Sequence, residues 1–145
     1  RWPLAFVSKP SNMRKFVIGP FVRRCCFLPI DRENARNALT TINAAANLIR
    51  AHVCSFAIYP EGTRSKSGEL LPWHAGSLKI AQKANVPIVV GTVEGTERIA
   101  RNVPWRRSHV YVRIREVIPA EAVKAATTSA LTEDICGKMR AALGK

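Results

Sequence analysis

At 145 residues, with 47% hydrophobic and 23% charged residues, the chain has the size of one ordinary domain and enough apolar content for a sizeable core, which excludes wholesale disorder. Lys and Arg total 23 against 10 acids, and the formal net charge of +13 favours anionic partners: acidic lipid headgroups, phosphorylated substrates or nucleic acid. No apolar run approaches the ~20 residues of a membrane span, no signal-peptide pattern is present, and Cys25, Cys26, Cys54 and Cys136 form neither C-x-x-C nor a zinc pattern, so they read as free thiols in a reducing compartment.

The sequence opens on Arg1, with "LAFVS" (residues 4–8) reading as a short buried strand already under way. This looks like a piece of a longer protein, with any membrane anchor lying upstream. Pro10, Gly19 and Pro20 break up the next stretch, so a short helix between turns is expected there. "CFLPID" (residues 26–31) reads as a second strand, with Pro29 tolerated at an edge or end. Over residues 34–51, Ala35, Ala38, Leu39, Ile42, Ala45, Ala46 and Ile49 recur at the i, i+3, i+4 spacing of an amphipathic helix.

"SFAIY" (residues 55–59) is a continuous apolar run, the pattern of a strand buried on both faces. Residues 75–84 read as a second helix with Leu78, Ile80 and Ala81 inward. "VPIVVGTV" (residues 86–93) reads as another buried strand. "VYVRIREVI" (residues 110–118) alternates Val110, Val112 and Ile114 with Tyr111, Arg113 and Arg115, so a half-exposed strand is expected. Leu131, Ile135, Met139 and Leu143 mark a terminal helix. Strands alternating with helices imply an α/β domain with a mixed, largely parallel sheet flanked by helices.

Ligands of such sheets sit beyond the carboxyl ends of the strands. "SFAIY" delivers "PEGTRS" to such an end. Pro60 stiffens the exit from the strand, and Gly62 allows the backbone to turn and approach a ligand. Thr63 and Ser65 offer hydroxyls, and Arg64 offers a planar fork matched to phosphate. Glu61 can hold Arg64 or accept from a substrate hydroxyl. The same residues also suit a plain polar turn closed by a Glu–Arg pair.

The wider pattern "YPEGTRSKSGELLPWHAGSLKIAQKANVPIVV" resembles the glycerolipid acyltransferase family, and within it the lysophosphatidic acid (1-acyl-sn-glycerol-3-phosphate) acyltransferases. "FLPIDRENARNA" is similar to one family block, with Arg32 matching its phosphate-binding arginine. "YPEGTRS" is similar to the next, with Tyr59 where relatives usually carry Phe. "VPIVV" is similar to the block linked to the acyl chain, with Gly91 near where many relatives carry a second proline. The resemblance implies one acyltransferase domain of the glycerol-phosphate-acyltransferase type over residues 1–145, truncated at its N-terminus. It implies acyl transfer from acyl-CoA or acyl carrier protein, as co-substrate, to the free hydroxyl of lysophosphatidate, forming phosphatidate.

By the same resemblance, Arg32, Glu61, Gly62, Thr63 and Arg64 bind the phosphate and glycerol, and Val86, Pro87 and Ile88 meet the acyl chain. No cofactor or metal is expected. The cytoplasmic face of an anionic membrane is the expected location, reached peripherally or through a preceding anchor.

One family block, His-x4-Asp, is absent. His52 is followed at the fifth position by Ala57, His74 by Lys79 and His109 by Ile114. The resemblance places the missing block just before Arg1, and with it the general base. His74 in "PWHAGS" reads as a surface histidine, with a substitute base as the sharper alternative. Trp73, Trp105, Arg106 and Arg107 suit a membrane interface or, equally, a partly buried indole beside a solvated charge pair. The rival reading, a non-catalytic basic module for anionic lipid or nucleic acid, rests on charge. Aromatics are only 7%, and no nucleic-acid motif is present, so a nucleic-acid partner is not expected.

Overall fold

The computed structural model describes residues 3–14, 16, 18–25, 27–31, 34–63, 65 and 69–143. The chain forms two compact units, Arg1–Asn85 and Val86–Lys145.

The first unit is built on a three-stranded parallel sheet. β1 (Leu4–Ser8) is central, flanked by β2 (Leu28–Pro29) and β3 (Ser55–Ala57) in the order β2-β1-β3. Val7 sits opposite Leu28 and Ala5 opposite Phe56. Where one short helix was expected after β1 there are two, α1 (Pro10–Met13) and α2 (Ile18–Arg24). Pro10 opens α1 at a position whose N–H would have no helical partner anyway. β2 is shorter than the expected strand, and Cys26 lies outside the described residues.

α3 (Ala35–Arg50) is the crossover from β2 to β3. Asn34 caps it: its side chain accepts from the Arg36 and Asn37 amides at 3.1 and 3.2 Å. Ile42, Ala45 and Ala46 of the apolar stripe are buried. Ile42 and Ala45 join Ile80 in a core against Val7, Leu28, Ile49, Phe56 and Ile58. Burying an isoleucine side chain stabilises by about 1.5–3 kcal/mol, so this one cluster accounts for much of the adhesion between helix and sheet.

The expected helix at 75–84 starts as a 3-10 turn, Ala75–Leu78, and continues as α4 (Lys79–Ala84). α4 is tied to α3 by the Arg50 Nε donor on the Lys83 carbonyl at 3.1 Å and by Lys83 Nζ on Asn43 Oδ1 at 2.6 Å.

The second unit contains an antiparallel pair, β4 (Ile88–Glu94) and β5 (Tyr111–Ile118). A 3-10 turn, Thr96–Arg98, and α5 (Ile99–Asn102) connect them, neither foreseen in the sequence. α6 (Ala120–Ala125), also unforeseen, and α7 (Thr128–Leu143) follow. α7 buries Leu131, Ile135 and Met139, and Lys138 reaches Glu116 of β5 at 3.0 Å.

β5 does not alternate as the sequence implied. Val93 pairs with Val112 and Gly91 with Ile114, but Val90 pairs with Glu116, so Arg115 is bulged out. The bulge shifts the phase and keeps Val117 on the face of Val89, Val93, Val112 and Ile114, which is exposed. Val90, Thr92 and Ile118 are buried. Among the described residues two of the three strand pairings are parallel, so the α/β class with mixed, largely parallel pairing holds.

Candidate functional site

β2 and β3 both run parallel to β1. Residues 30–31 and 58–62 therefore leave the sheet at the same carboxyl edge. They lie two strand spacings apart, about 10 Å. Sequence places Arg32 and Arg64 just after these exits, but both lie outside the described residues.

The exit from β3 is a defined turn. The Gly62 amide donates to the Tyr59 carbonyl at 3.0 Å. That puts Pro60 at the second position and Gly62 at the fourth, the preferences of a common β-turn. Gly62 has φ 67°, a left-handed conformation that a side chain would strain. The glycine expected from sequence is therefore a backbone requirement.

Two further bonds fix the turn. The half-buried Glu61 carboxylate accepts from the Leu71 amide at 2.8 Å, and the Pro60 carbonyl accepts from the His74 amide at 3.0 Å. The segment before α4 is thus folded back onto the turn. This anchoring role of Glu61 was not foreseen. No periodicity links a carboxylate to a backbone amide ten residues away in a loop. Thr63 stands exposed beside it. Tyr59 stacks on Phe6 with ring centroids 6.3 Å apart, and Phe6 in turn meets Phe27 at 5.1 Å.

The β2 exit is held by α3. Thr41 Oγ1 donates to the Pro29 carbonyl at 2.7 Å, and Asn37 Nδ2 lies 3.5 Å from Asp31 Oδ2. Residues 1–85 contain 13 of the 23 basic side chains and only 4 of the 10 acids. A surface so charged favours an anionic group.

Val86, Pro87 and Ile88 open the second unit, with Val86 and Ile88 half-buried and Pro87 exposed. An open cleft of about 410 Å3 in that unit is lined by α6, α7 and the end of β5, and none of those three residues lines it. His74 is exposed, as are His52 and His109. Among the described residues no group of three or more His, Cys, Asp or Glu could hold a metal ion. Trp73 is half-buried with its indole N–H enclosed and without a hydrogen-bond partner among the described residues, whereas Trp105 is 90% exposed beside the exposed Arg106 and Arg107.

The sequence profile of the Acyltransferase family matches residues 2–93. A 1-acyl-sn-glycerol-3-phosphate acyltransferase of Cocos nucifera is 38% identical over 84 residues, covering 58% of this chain and 26% of the relative. One of Limnanthes douglasii is 34% identical over 107 residues, covering 74% and 36%. The human 1-acyl-sn-glycerol-3-phosphate acyltransferase beta is 30% identical over 114 residues, covering 77% and 41%.

The crystal structure of the 1-acyl-sn-glycerophosphate (LPA) acyltransferase PlsC from Thermotoga maritima shares the fold, with TM-score 0.68 at 21% identity. The match covers 97% of this chain and 56% of that one. The chain thus spans between about a quarter and two fifths of the length of these curated relatives. The profile match takes in both sheet exits and β4, and on it the chain belongs to the Acyltransferase family.

Proposed function

We propose that the chain is the phosphate- and acyl-binding part of an enzyme that acylates the free hydroxyl of 1-acylglycerol-3-phosphate, forming phosphatidate in phospholipid synthesis. The donor is acyl-CoA or acyl carrier protein, and the site works at the cytoplasmic face of an anionic membrane. One observation carries the reading: the fixed Tyr59-Pro60-Glu61-Gly62 turn leaves the sheet at the same edge as the Asp31 segment. The names of the relatives support the same substrate class.

In this reading Arg32 and Arg64 grip the acceptor phosphate, each by charge-assisted hydrogen bonds. Glu61, Gly62 and Thr63 line the glycerol, and Val86, Pro87 and Ile88 meet the acyl chain. The acceptor oxygen attacks the thioester carbonyl, the C–S bond breaks, and the hydroxyl proton ends on the departing thiol. The base that takes this proton belongs to the His-x4-Asp block, which these 145 residues do not contain. The chain's own contribution is to hold the acceptor by its phosphate, which lowers the entropic cost of the encounter.

The test uses the protein carrying its natural preceding residues. A charged hydrogen bond contributes roughly 1.5–3 kcal/mol, so Arg64→Ala and Arg32→Ala each reduce kcat/KM for lysophosphatidate about ten- to a hundred-fold. Arg64→Lys recovers part of this, because a point charge lacks the two-pronged contact. A monoacylglycerol, which has no phosphate, serves as control. Equal losses on both acceptors would make the arginines structural and the clamp wrong.

A further inference from the structure

The paired strands β4 and β5 are patterned inside out. On one face the register aligns Val90 with Glu116, Thr92 with Arg113 and Glu94 with Tyr111. Val90 and Thr92 are buried there, Arg113 is bonded to Glu94 at 2.6 Å, and Lys138 of α7 reaches Glu116. The other face aligns Val89 with Val117, Gly91 with Ile114 and Val93 with Val112. All six are apolar or glycine, and all six are exposed, Val112 and Ile114 to 69%. An antiparallel sheet with one solvated face puts its polar residues on that face. Here the charges lie on the covered face and the aliphatic side chains on the open one.

The connection between the two strands carries the same chemistry to its tip. The Asn102 side chain donates to the Arg107 carbonyl at 3.2 Å and to Ser108 Oγ at 3.0 Å, and the Asn102 carbonyl accepts from the Arg106 amide at 2.6 Å. These bonds fix residues 103–108 as a loop. Trp105 on that loop is 90% exposed, and Val103 is exposed with it. Arg98, Arg101, Arg106 and Arg107 flank them, all exposed, against one acid, Glu97, over residues 95–110. The Val93–Val112 pair brings the apolar face to this end of the strands.

What such a face fits is decided by what it lacks. A protein interface carries about one hydrogen bond per 100–200 Å². The six paired residues here have no polar side chain to supply one. Lipid needs none. Indole and guanidinium groups at the rim suit the headgroup layer, and the arginines complement anionic phosphates. Contiguous exposed apolar surface with a polar rim is the mark of an interaction or membrane site.

We infer that the outer face of β4 and β5, together with Trp105, is the surface by which the protein docks on an anionic bilayer. Val89, Val93, Val112, Ile114 and Val117 rest at the boundary of headgroups and acyl chains, Trp105 inserts beside them, and Arg106 and Arg107 bind lipid phosphates. The inference rests on the membrane setting of the proposed function, but not on its acyl-transfer chemistry.

Vesicle co-sedimentation tests it without turnover. The protein carries its natural preceding residues, and the vesicles contain phosphatidylcholine and phosphatidate at about 3:1. Val112→Thr combined with Ile114→Thr keeps β-branched side chains in the strand and lowers the partition coefficient at least about tenfold. Trp105→Ala, on the loop, lowers it by a similar factor. Val53→Thr, at an exposed position of the other unit, changes it less than about twofold. Unchanged partition in either of the first two variants overturns the proposal, and so does an equal loss in Val53→Thr. Self-association in solution that the threonine pair abolishes assigns the face to a second copy instead. A threonine pair that weakens binding of the 145-residue chain but not of the longer protein assigns it to the preceding residues instead. A longer protein that partitions as expected yet releases no CoA from acyl-CoA and lysophosphatidate sinks the acyl-transfer reading and leaves the docking surface standing.

Discussion

The Glu61 carboxylate accepts the Leu71 amide at 2.8 Å and so closes the loop that carries the candidate phosphate site. One oxygen makes this bond, and the other remains for a substrate hydroxyl or for Arg64. The bond is charge-assisted, about twice the strength of a neutral one. Glu61→Gln keeps an acceptor oxygen and should cost stability only about 1 kcal/mol. Glu61→Ala leaves the Leu71 amide without a partner and should cost about 1–3 kcal/mol. Urea midpoints at unchanged slope measure both. Wild-type stability of the alanine variant would show that the carboxylate does not hold the loop. At this scale, part of the site was legible in the sequence. Pro60 and Gly62 announce a turn, because the one fixes φ and the other permits a positive φ. Leu71 carries no such sign, since it contributes only a backbone amide and its partner is set by how the loop folds back.

Among the elements, α3 shows what periodicity can settle and where it stops. The stripe places Ile42, Ala45 and Ala46 inward, and all three are buried. Leu39, on the same stripe, is 45% exposed. The start of the helix is set by chemistry rather than by the stripe. Asn34 accepts two amides that would otherwise lack partners. Asn34→Ala should cost about 1 kcal/mol and lower the Tm by about 2–8 °C. Asn34→Asp should keep the cap and gain from the helix dipole. Calorimetry ranks the three, and an aspartate variant as unstable as the alanine variant would rule out the cap.

The elements not foreseen have physical reasons in common. α6 is six residues long with Val123 as its buried anchor, too short to display a period. Among the described side chains of Thr96–Arg98 and α5 none is buried. The bulge at Arg115 is a property of two paired strands, and the alternation of one strand cannot reveal it.

At the scale of the molecule, the lopsided charge has a consequence for surfaces. Among the described residues no helix is long and apolar enough to cross a membrane. The net charge of +13 favours electrostatic, reversible attachment to an anionic surface, and Trp105, Arg106 and Arg107 are exposed to meet a headgroup layer. Binding to phosphatidate-containing vesicles should fall steeply between low salt and about 0.5 M, as the screening length shrinks below 10 Å. Trp105 fluorescence should shift to the blue on binding. Equal co-sedimentation with neutral and anionic vesicles would defeat the electrostatic account.

Binding, however, is not turnover. These residues supply turns and positive charge, while none of His52, His74 and His109 is followed at the fifth position by a carboxylate. Losing a general base costs about 10²–10⁴-fold. The 145-residue chain assayed alone with oleoyl-CoA and lysophosphatidate should therefore release no measurable CoA. With the natural preceding residues restored, turnover should appear, and His74→Ala in that protein should leave kcat unchanged. Robust turnover by the short chain, abolished by His74→Ala, would instead make His74 the base and the site self-sufficient.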